Sequence, residues 1–234
     1  MTKSEALKKF FDNALKGESK TYNDHNWYVT GSKLRSYIEG QNPNKFPLLK
    51  KNVSDSTIGE VKTLQSRSRD NDGQLWAVGR YQIIPTTLKG IQKKLGLNDT
   101  EKFNQSVQDQ MGYALMTERT NLKNYLSGAV EDTKENRQKA SLDMAKIWSS
   151  IGVPYAVNGK AYNQSYYSKD NASVNTEIIQ DKLAELRKNL VNATDEKKKS
   201  NESQSGISVG FILLGIGLAI GGYFVYKNRK ILKI

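Results

Sequence analysis

Apolar side chains recur at helical spacing over most of the first 192 residues. The first such stretch starts at a capping box, Thr2-Lys3-Ser4-Glu5, and its apolar face runs to Leu15. A second capping box, Thr57-Ile58-Gly59-Glu60, opens a short helix. Trp148 falls on a later apolar stripe, which favours a place in the core. The spacing predicts helices at 2–15, 57–64, 85–95, 104–119, 122–126, 140–151 and 176–191.

The segment 75–84 has strand character instead, with an apolar run on both sides of Gly79. A glycine inside a strand pattern marks a bulge or a place where another group comes close to the backbone. Pro85 ends this strand and suits the first turn of the next helix. Residues 22–55 are polar, aromatic and turn-rich, which predicts a loop with short strands. The whole pattern predicts an α+β chain that is predominantly helical and has a small β-sheet.

The C-terminal part changes character. Residues 193–206 form a polar, lysine-containing stretch, which predicts a linker that does not fold by itself. Residues 207–226 carry no charge and are rich in Ile, Leu, Val and Phe, which predicts one transmembrane helix, with a buried soluble helix as the alternative. Glycines four apart within this segment are typical of close packing between membrane helices. Residues 227–234 form a basic tail.

Composition excludes several kinds of chemistry. The chain has no cysteine and one histidine, His25, so it has no disulfide and no multi-histidine metal site. His25 is expected to be a solvated loop residue, and no cofactor or metal is expected. A net charge of +12 suits nucleic acid, anionic lipid or anionic cell wall. The stretch 1–15 lacks an apolar core, so no signal peptide is expected.

Two segments carry a family resemblance. The segment Gly79-Arg80-Tyr81-Gln82-Ile83-Ile84-Pro85 resembles the Gly-Arg-Tyr-Gln-Ile-x-Pro segment of phage lysozyme-like muramidases and lytic transglycosylases, which lines the floor of the glycan cleft. Gly17-Glu18-Ser19, followed by Tyr22-Asn23 and Asn26, resembles the segment that carries the catalytic glutamate of the family. The stretch 147–151 also resembles a helix and loop of lambda-type endolysins. The resemblance implies that residues 1–192 form a lysozyme-like fold, with the small sheet beside the cleft.

The resemblance implies cleavage of the MurNAc–GlcNAc β-1,4 bond of peptidoglycan, with Glu18 as general acid. If the first helix continues to Glu18, the carboxyl group lies at the edge of an apolar face, which raises its pKa as a general acid requires. Hydrolysis needs a second carboxylate, for which Asp24, Asp70 and Asp72 are candidates. The lambda-type relatives use one glutamate and leave a 1,6-anhydro product. We therefore expect a lytic transglycosylase, with a hydrolytic muramidase as the alternative.

Six residues are the candidates for substrate binding. The resemblance implies that the segment 80–82 holds the glycan beside Glu18. Tyrosines of the loop 152–175 could stack on sugar rings or anchor the loop on the core. The candidates are Arg80, Tyr81, Gln82, Tyr22, Asn26 and Tyr167.

The expected partners are peptidoglycan glycan strands and a lipid bilayer, through 207–226, with neighbouring membrane helices or a capsid as further partners. Nucleic acid is not expected. The expected location is a virion internal membrane or the host inner membrane, with the enzyme domain facing the wall, where a phage would use it for wall penetration or lysis. The competing class is a non-catalytic, membrane-anchored virion structural protein, which would keep the fold and not need Glu18.

Overall fold

A computed structural model describes residues 2–14, 19, 21–29, 33–37, 51–68 and 73–204 of the chain. This described part is mixed helical with one small sheet, as the α+β expectation requires. Its elements are α1 (Lys3–Ala14), β1 (His25–Val29), β2 (Lys33–Tyr37), α2 (Ile58–Gln65), β3 (Gln74–Val78), α3 (Pro85–Leu95), α4 (Gln105–Thr117), α5 (Thr120–Leu126), α6 (Lys134–Ala145) and α7 (Thr176–Gln204).

The helix starts follow the capping signals of the sequence. The Thr57 hydroxyl accepts a hydrogen bond from the backbone N–H of Glu60, whose side chain accepts one from the N–H of Thr57. Thr2 and Glu5 make the same reciprocal pair at α1. Pro85 occupies the first turn of α3, where its missing N–H leaves no donor unsatisfied. The predicted starts of these three helices are confirmed.

The sheet is antiparallel, with β1 between β2 and β3. Its register against β3 shifts between His25 and Trp27, which places an irregularity at the intervening residue. The predicted strand across 75–84 is wrong in its second half, because β3 ends at Val78. Val78 and Ile83 then pair across a tight turn, so Gly79 lies in that turn.

An aromatic cluster joins the first helix to the rest of the core. The Phe11 ring packs edge-on against the rings of Tyr81 and Trp148, with centroids 4.5 and 5.8 Å apart. All three side chains are buried, so the expected core position of Trp148 is confirmed. Edge-to-face pairs of this kind add to the free energy gained by burying the rings.

Two helices depart from their predicted bounds. Helix α6 starts at Lys134, because the Thr133 hydroxyl caps it, and it ends at Ala145. Trp148 therefore follows the helix, where 140–151 was predicted to be helical throughout. Helix α7 continues to Gln204, so most of the expected linker at 193–206 is helical. Seven of the twelve residues 193–204 are Ala, Glu, Lys or Gln, which favour helix, and no Gly or Pro interrupts the stretch before Gly206.

The compact unit that holds the core ends at Ala193, next to the boundary expected at 192. Among the helices of the described ranges, none combines the length and the apolar character needed to cross a membrane. The predicted transmembrane segment 207–226 and the tail 227–234 lie outside the described residues.

Gly112 gives a stability test. An added Cβ there would lie 2.4 Å from Cε1 of the Tyr81 ring, whereas a Cβ at Gly90 in α3 would contact nothing within 4 Å. We expect Gly112→Ala to lower the free energy of unfolding by about 1–3 kcal/mol, because the buried ring must shift. Gly90→Ala should raise it by about 0.5–1 kcal/mol through helix propensity. Denaturant unfolding measures both, and equal effects of the two substitutions would contradict this packing.

Candidate active site

A groove of about 640 Å³ opens beside the turn that follows β3. Residues of β1 and β3, the first turns of α3, the α4–α5 corner and the end of α6 all contribute to its walls. Its side chains combine amides, aromatic rings and a few charges, and the main ones are Asn26, Trp76, Gln82, Thr86, Thr87, Glu118, Arg119, Lys146, Trp148, Ser149 and Tyr167.

Gly79 is the point of close approach that the sequence indicated. Its φ is +72°, and an added Cβ would lie 2.1 Å from Oε1 of Gln108. Its backbone N–H donates to the carbonyl oxygen of Asp24 at 2.7 Å. A side chain at this position would therefore meet both backbone strain and a buried amide. The interpretation of Gly79 as a close approach to the backbone is confirmed.

Gln108 of α4 connects the two segments that carry the family resemblance. Its Oε1 accepts from the backbone N–H of Arg80 at 2.9 Å. Its Nε2 donates to the carbonyl oxygens of Tyr22 and Phe103, at 3.0 and 2.8 Å. The side chain is fully buried, so these hydrogen bonds satisfy its amide oxygen and its amide nitrogen in place of water.

Asp109, the next residue, holds two tyrosines. Its Oδ1 accepts from the hydroxyls of Tyr22 and Tyr81, at 2.9 and 2.7 Å. Burial of both phenols and the nearby Asp109 carboxylate raise the pKa of Tyr22 and of Tyr81 well above the usual tyrosine value. Both hydroxyls therefore remain protonated donors at neutral pH, and they fix the segment around Tyr22 against the turn around Tyr81.

Arg80 and Tyr81 make their side-chain contacts inside the protein, although Tyr81 is also among the residues that line the groove. The Arg80 side chain is buried, its Nη2 donates to the carboxylate of Asp12, and its guanidinium lies 5.4 Å from the ring centre of Tyr22. Tyr81 is only 1% exposed, and its ring and hydroxyl pack inside the protein. The partners that the structure gives these two side chains lie within the fold, and their expected contact with the glycan stays a prediction.

Asn26 and Gln82 do line the groove, as a linked pair of amides. Nδ2 of Asn26 donates to Oε1 of Gln82, and Nε2 of Gln82 donates to the carbonyl oxygen of Gly79 at 2.9 Å. Gln82 holds a φ of +47°, which is uncommon for a residue with a side chain. The structure thus brings together one residue from each of the two resembling segments at the groove.

Tyr167 also lines the groove. Its ring is 60% exposed and packs edge-on against Tyr166, and its hydroxyl donates to the carbonyl oxygen of Lys146. One end of this tyrosine is therefore anchored while a face of the ring remains accessible, as stacking on a sugar requires.

Glu18 lies outside the described residues, but the chain that follows it is well defined. Ser19 is buried, and its hydroxyl donates to the carboxylate of Asp24 at 2.9 Å. The N–H and hydroxyl of Thr21 donate to the same carboxylate, at 3.2 and 2.9 Å. Asp24 is therefore occupied in stabilising its own turn. The other two candidates for a second carboxylate, Asp70 and Asp72, lie outside the described residues.

His25 is buried in β1, so the expectation of a solvated loop residue is wrong. Its Nδ1 donates to the carbonyl oxygen of Asn23 at 2.8 Å, and burial lowers its pKa. Within the described ranges, no cluster of three or more His, Asp or Glu side chains could hold a metal ion.

Sequence reasoning missed Gln108, Asp109 and Glu118. A signal for the first was present, because Gln108 lies three residues before Met111 and so falls on the apolar face predicted for 104–119. A polar residue on such a face needs buried partners. Glu118, which borders the groove and pairs with Lys94 at 3.1 Å, follows the end of α4 and has no comparable signal.

Comparison of the chain with protein-family models, curated proteins and solved structures gives no match.

The Gln108 contacts predict a large stability effect. Gln108→Met keeps the length of the side chain but leaves the N–H of Arg80 and the carbonyl of Tyr22 without their buried partner. We expect a loss of about 3 kcal/mol in the free energy of unfolding. Gln110→Met is the matched control on the same helix, because Gln110 is exposed and should change stability by less than about 0.5 kcal/mol. Similar urea midpoints for the two variants would show that Gln108 is not the link between the segments.

Proposed function

We propose that the chain is a peptidoglycan-degrading lytic transglycosylase that cleaves the MurNAc–GlcNAc β-1,4 bond with Glu18 as its catalytic group. One observation carries the proposal. The two segments that resemble the lysozyme-like family meet in one hydrogen-bond network beside the groove, although Asn26 and Gln82 lie 56 residues apart. If the two short segments resembled the family only by chance, there would be no reason to expect contact between them.

The groove has the side chains that a polysaccharide requires. The amides of Asn26 and Gln82 supply donors and acceptors for hydroxyl and acetamido groups. Trp76 and Tyr167 contribute aromatic surface at the same groove, which suits the apolar faces of sugar rings. A groove whose walls combine amides and aromatic rings is suited to a sugar substrate.

The proposed reaction uses one carboxyl group twice. Glu18 first donates its proton to the glycosidic oxygen, so that the GlcNAc leaves with a free 4-hydroxyl. The resulting carboxylate then accepts the proton of the 6-hydroxyl of the MurNAc, whose oxygen bonds to C1. The product is a 1,6-anhydro sugar, no water is consumed, and the glutamate returns to its acid form.

The surroundings of Asp24 support the scheme with one carboxylate. This side chain is buried and accepts hydrogen bonds from Ser19 and Thr21, so it is poorly suited to activate a water. The hydrolytic alternative needs a second acid across the cleft. Among the described groove-lining residues, Glu118 is the carboxylate available for that role, and it pairs with Lys94.

The proposed setting is a membrane. The uncharged segment 207–226 would anchor the enzyme in a virion or host inner membrane, as a phage would need for wall penetration or lysis. The competing function, a non-catalytic virion structural protein on the same anchor, requires neither Glu18 nor the groove.

Glu18→Gln tests the catalytic assignment. The amide keeps the shape of the side chain but has no proton to transfer, so wall-degrading activity should fall by about a hundredfold or more. Glu135→Gln is the control, because it makes the same chemical change at an exposed residue of α6. Clearing of purified peptidoglycan by the full-length proteins is the measurement, and thermal unfolding verifies the fold. Near wild-type clearing by Glu18→Gln would rule out the assignment.

The products separate the two reactions. We expect mass spectrometry of digested peptidoglycan to show muropeptides lighter by one water than hydrolytic products, because the 6-hydroxyl takes the place of water. Muropeptides with free reducing ends alone would favour the muramidase. In that case Glu118→Gln, followed by substitutions at Asp70 and Asp72, would identify the second carboxylate.

The membrane proposal predicts one orientation. The tail 227–234 carries four basic residues and no acid, whereas the lysines at 197–199 are offset by Asp195, Glu196 and Glu202. The tail should therefore lie on the cytoplasmic side and the enzyme domain on the wall side. Protease added to intact spheroplasts should digest the enzyme domain and spare the tail. The reverse pattern would contradict the orientation, and a protein that stays soluble without detergent would contradict the anchor.

A further inference from the structure

We infer that the groove contains a carboxylate-binding subsite, formed by Arg119 and Lys146, which selects glycan strands that carry anionic substituents. The inference rests on the proposed function for its substrate class, and it adds a specificity that cleavage of the glycosidic bond does not require. Both residues line the groove, on segments other than those that carry the amide pair of Asn26 and Gln82.

Arg119 and Lys146 lie where three chain segments come into contact. The Lys146 carbonyl oxygen accepts from Nη2 of Arg119 at 3.3 Å and from the hydroxyl of Tyr167. Arg119 lies between α4 and α5, Lys146 ends α6, and Tyr167 comes from the loop before α7. Three separate segments therefore meet at one carbonyl, which places the Arg119 guanidinium next to the backbone of Lys146.

The acidic groups nearby are already engaged. Glu118 pairs with Lys94 at 3.1 Å. The buried Asp143 carboxylate accepts from the backbone N–H groups of Asn121 and Leu122, at 3.1 and 3.2 Å, and lies 3.8 Å from Nζ of Lys146.

Glu118 therefore interacts with Lys94, and Asp143 interacts with two backbone amides as well as with Lys146. Arg119 has no carboxylate partner among the described residues. An excess of positive charge therefore faces the groove.

Peptidoglycan offers the matching anion in two forms. The lactyl group of MurNAc is a carboxylate where the peptide has been removed, and the stem peptide bears carboxylates where it is present. A guanidinium matches a carboxylate with two parallel hydrogen bonds, and an ammonium adds a point charge. A neutral polymer of N-acetylated sugars has no anionic group for Arg119 and Lys146, although its hydroxyl and acetamido groups suit the amides of Asn26 and Gln82.

The lining of the groove thus contains two chemically different sets of side chains, which suit two parts of one substrate. Asn26 and Gln82 suit neutral sugar hydroxyl and acetamido groups, whereas Arg119 and Lys146 suit the substituent on MurNAc. Tyr167 stands beside the cations with its ring exposed, so a sugar stacked on it would bring its substituent close to them.

The test measures binding without cleavage, with the full-length Glu18→Gln protein as the background. The probes are glycan fragments stripped of peptide by an amidase, the same fragments with their lactyl carboxylates converted to amides, and fragments that keep the stem peptide. We expect the neutral fragments to bind at least about fivefold more weakly than the stripped anionic ones. The difference should shrink as salt concentration rises, because the interaction is electrostatic.

The variants assign the effect to the two residues. Arg119→Gln and Lys146→Gln should each reduce the preference for anionic fragments, and the double variant should abolish it. Lys139→Gln is the matched control, since it removes the same charge from α6 outside the groove and should keep the preference. A preference confined to peptide-bearing fragments would place the carboxylate on the stem peptide, and one shown by stripped fragments would place it on the lactyl group.

Equal affinity for anionic and neutral fragments would overturn the inference, and so would an equal loss of preference in Lys139→Gln. The outcome is separable from that of the proposed function. Wild-type protein that cleaves peptidoglycan but shows no preference would leave the function standing and remove the subsite. A preference that persists in a protein unable to cleave any peptidoglycan would do the reverse.

Discussion

The candidate site depends on one buried amide. Gln108 accepts from the N–H of Arg80 and donates to the carbonyl of Tyr22, so it holds two chain segments that lie 28 and 86 residues away. Each of those backbone groups would otherwise be buried without a partner, at a cost of about 1–3 kcal/mol apiece. The absence of a side chain at Gly79 is what lets the amide approach this closely. A small residue on one element and a long amide on another therefore act as a pair.

Neighbouring residues of the turn after β3 have different structural roles. Arg80 and Tyr81 point inward, where Asp12 and Asp109 hold them, and Gln82 points to the groove. Gln82 takes up a positive φ that costs free energy, and it is held there by its hydrogen bonds with Gly79 and Asn26. Strain of this kind persists only where the surroundings fix the conformation. The inward side chains provide that fixation, and the outward amide gains a defined direction.

The sequence predicted what depends on local chemistry. Reciprocal capping pairs gave the starts of α1 and α2, and periodicity put Trp148 in the core. The sequence did not predict features that depend on a partner far away in the chain. Nothing near Arg80 in the sequence shows that Asp12 will take its guanidinium, and a strand pattern around Gly79 does not distinguish a bulge from a turn.

The same limit applies to helix ends and to the groove. The end of α7 was placed early because a polar stretch suggests a linker, although its residues favour helix and meet no Gly or Pro before Gly206. The placement of Arg119 and Lys146 at the groove was not predicted, for a different reason. Arg119 and Lys146 lie at helix termini, where apolar periodicity gives no information about which segments will meet.

The protonation behaviour of the network bears on how the site would operate. Tyr22 and Tyr81 share one carboxylate oxygen of Asp109, and both have their pKa raised by burial and by that carboxylate. Neither phenol loses its proton near neutral pH, so both hydroxyls remain hydrogen-bond donors to Asp109 there. A dependence of the rate on pH near neutrality is therefore expected to come from a group other than these two phenols. In the proposed mechanism that group is Glu18, which has to hold a proton at the start of each cycle and release it to the glycosidic oxygen. The two buried tyrosines thus supply hydroxyl donors that keep their protons near neutral pH, whereas the proposed reaction requires Glu18 to gain and lose a proton.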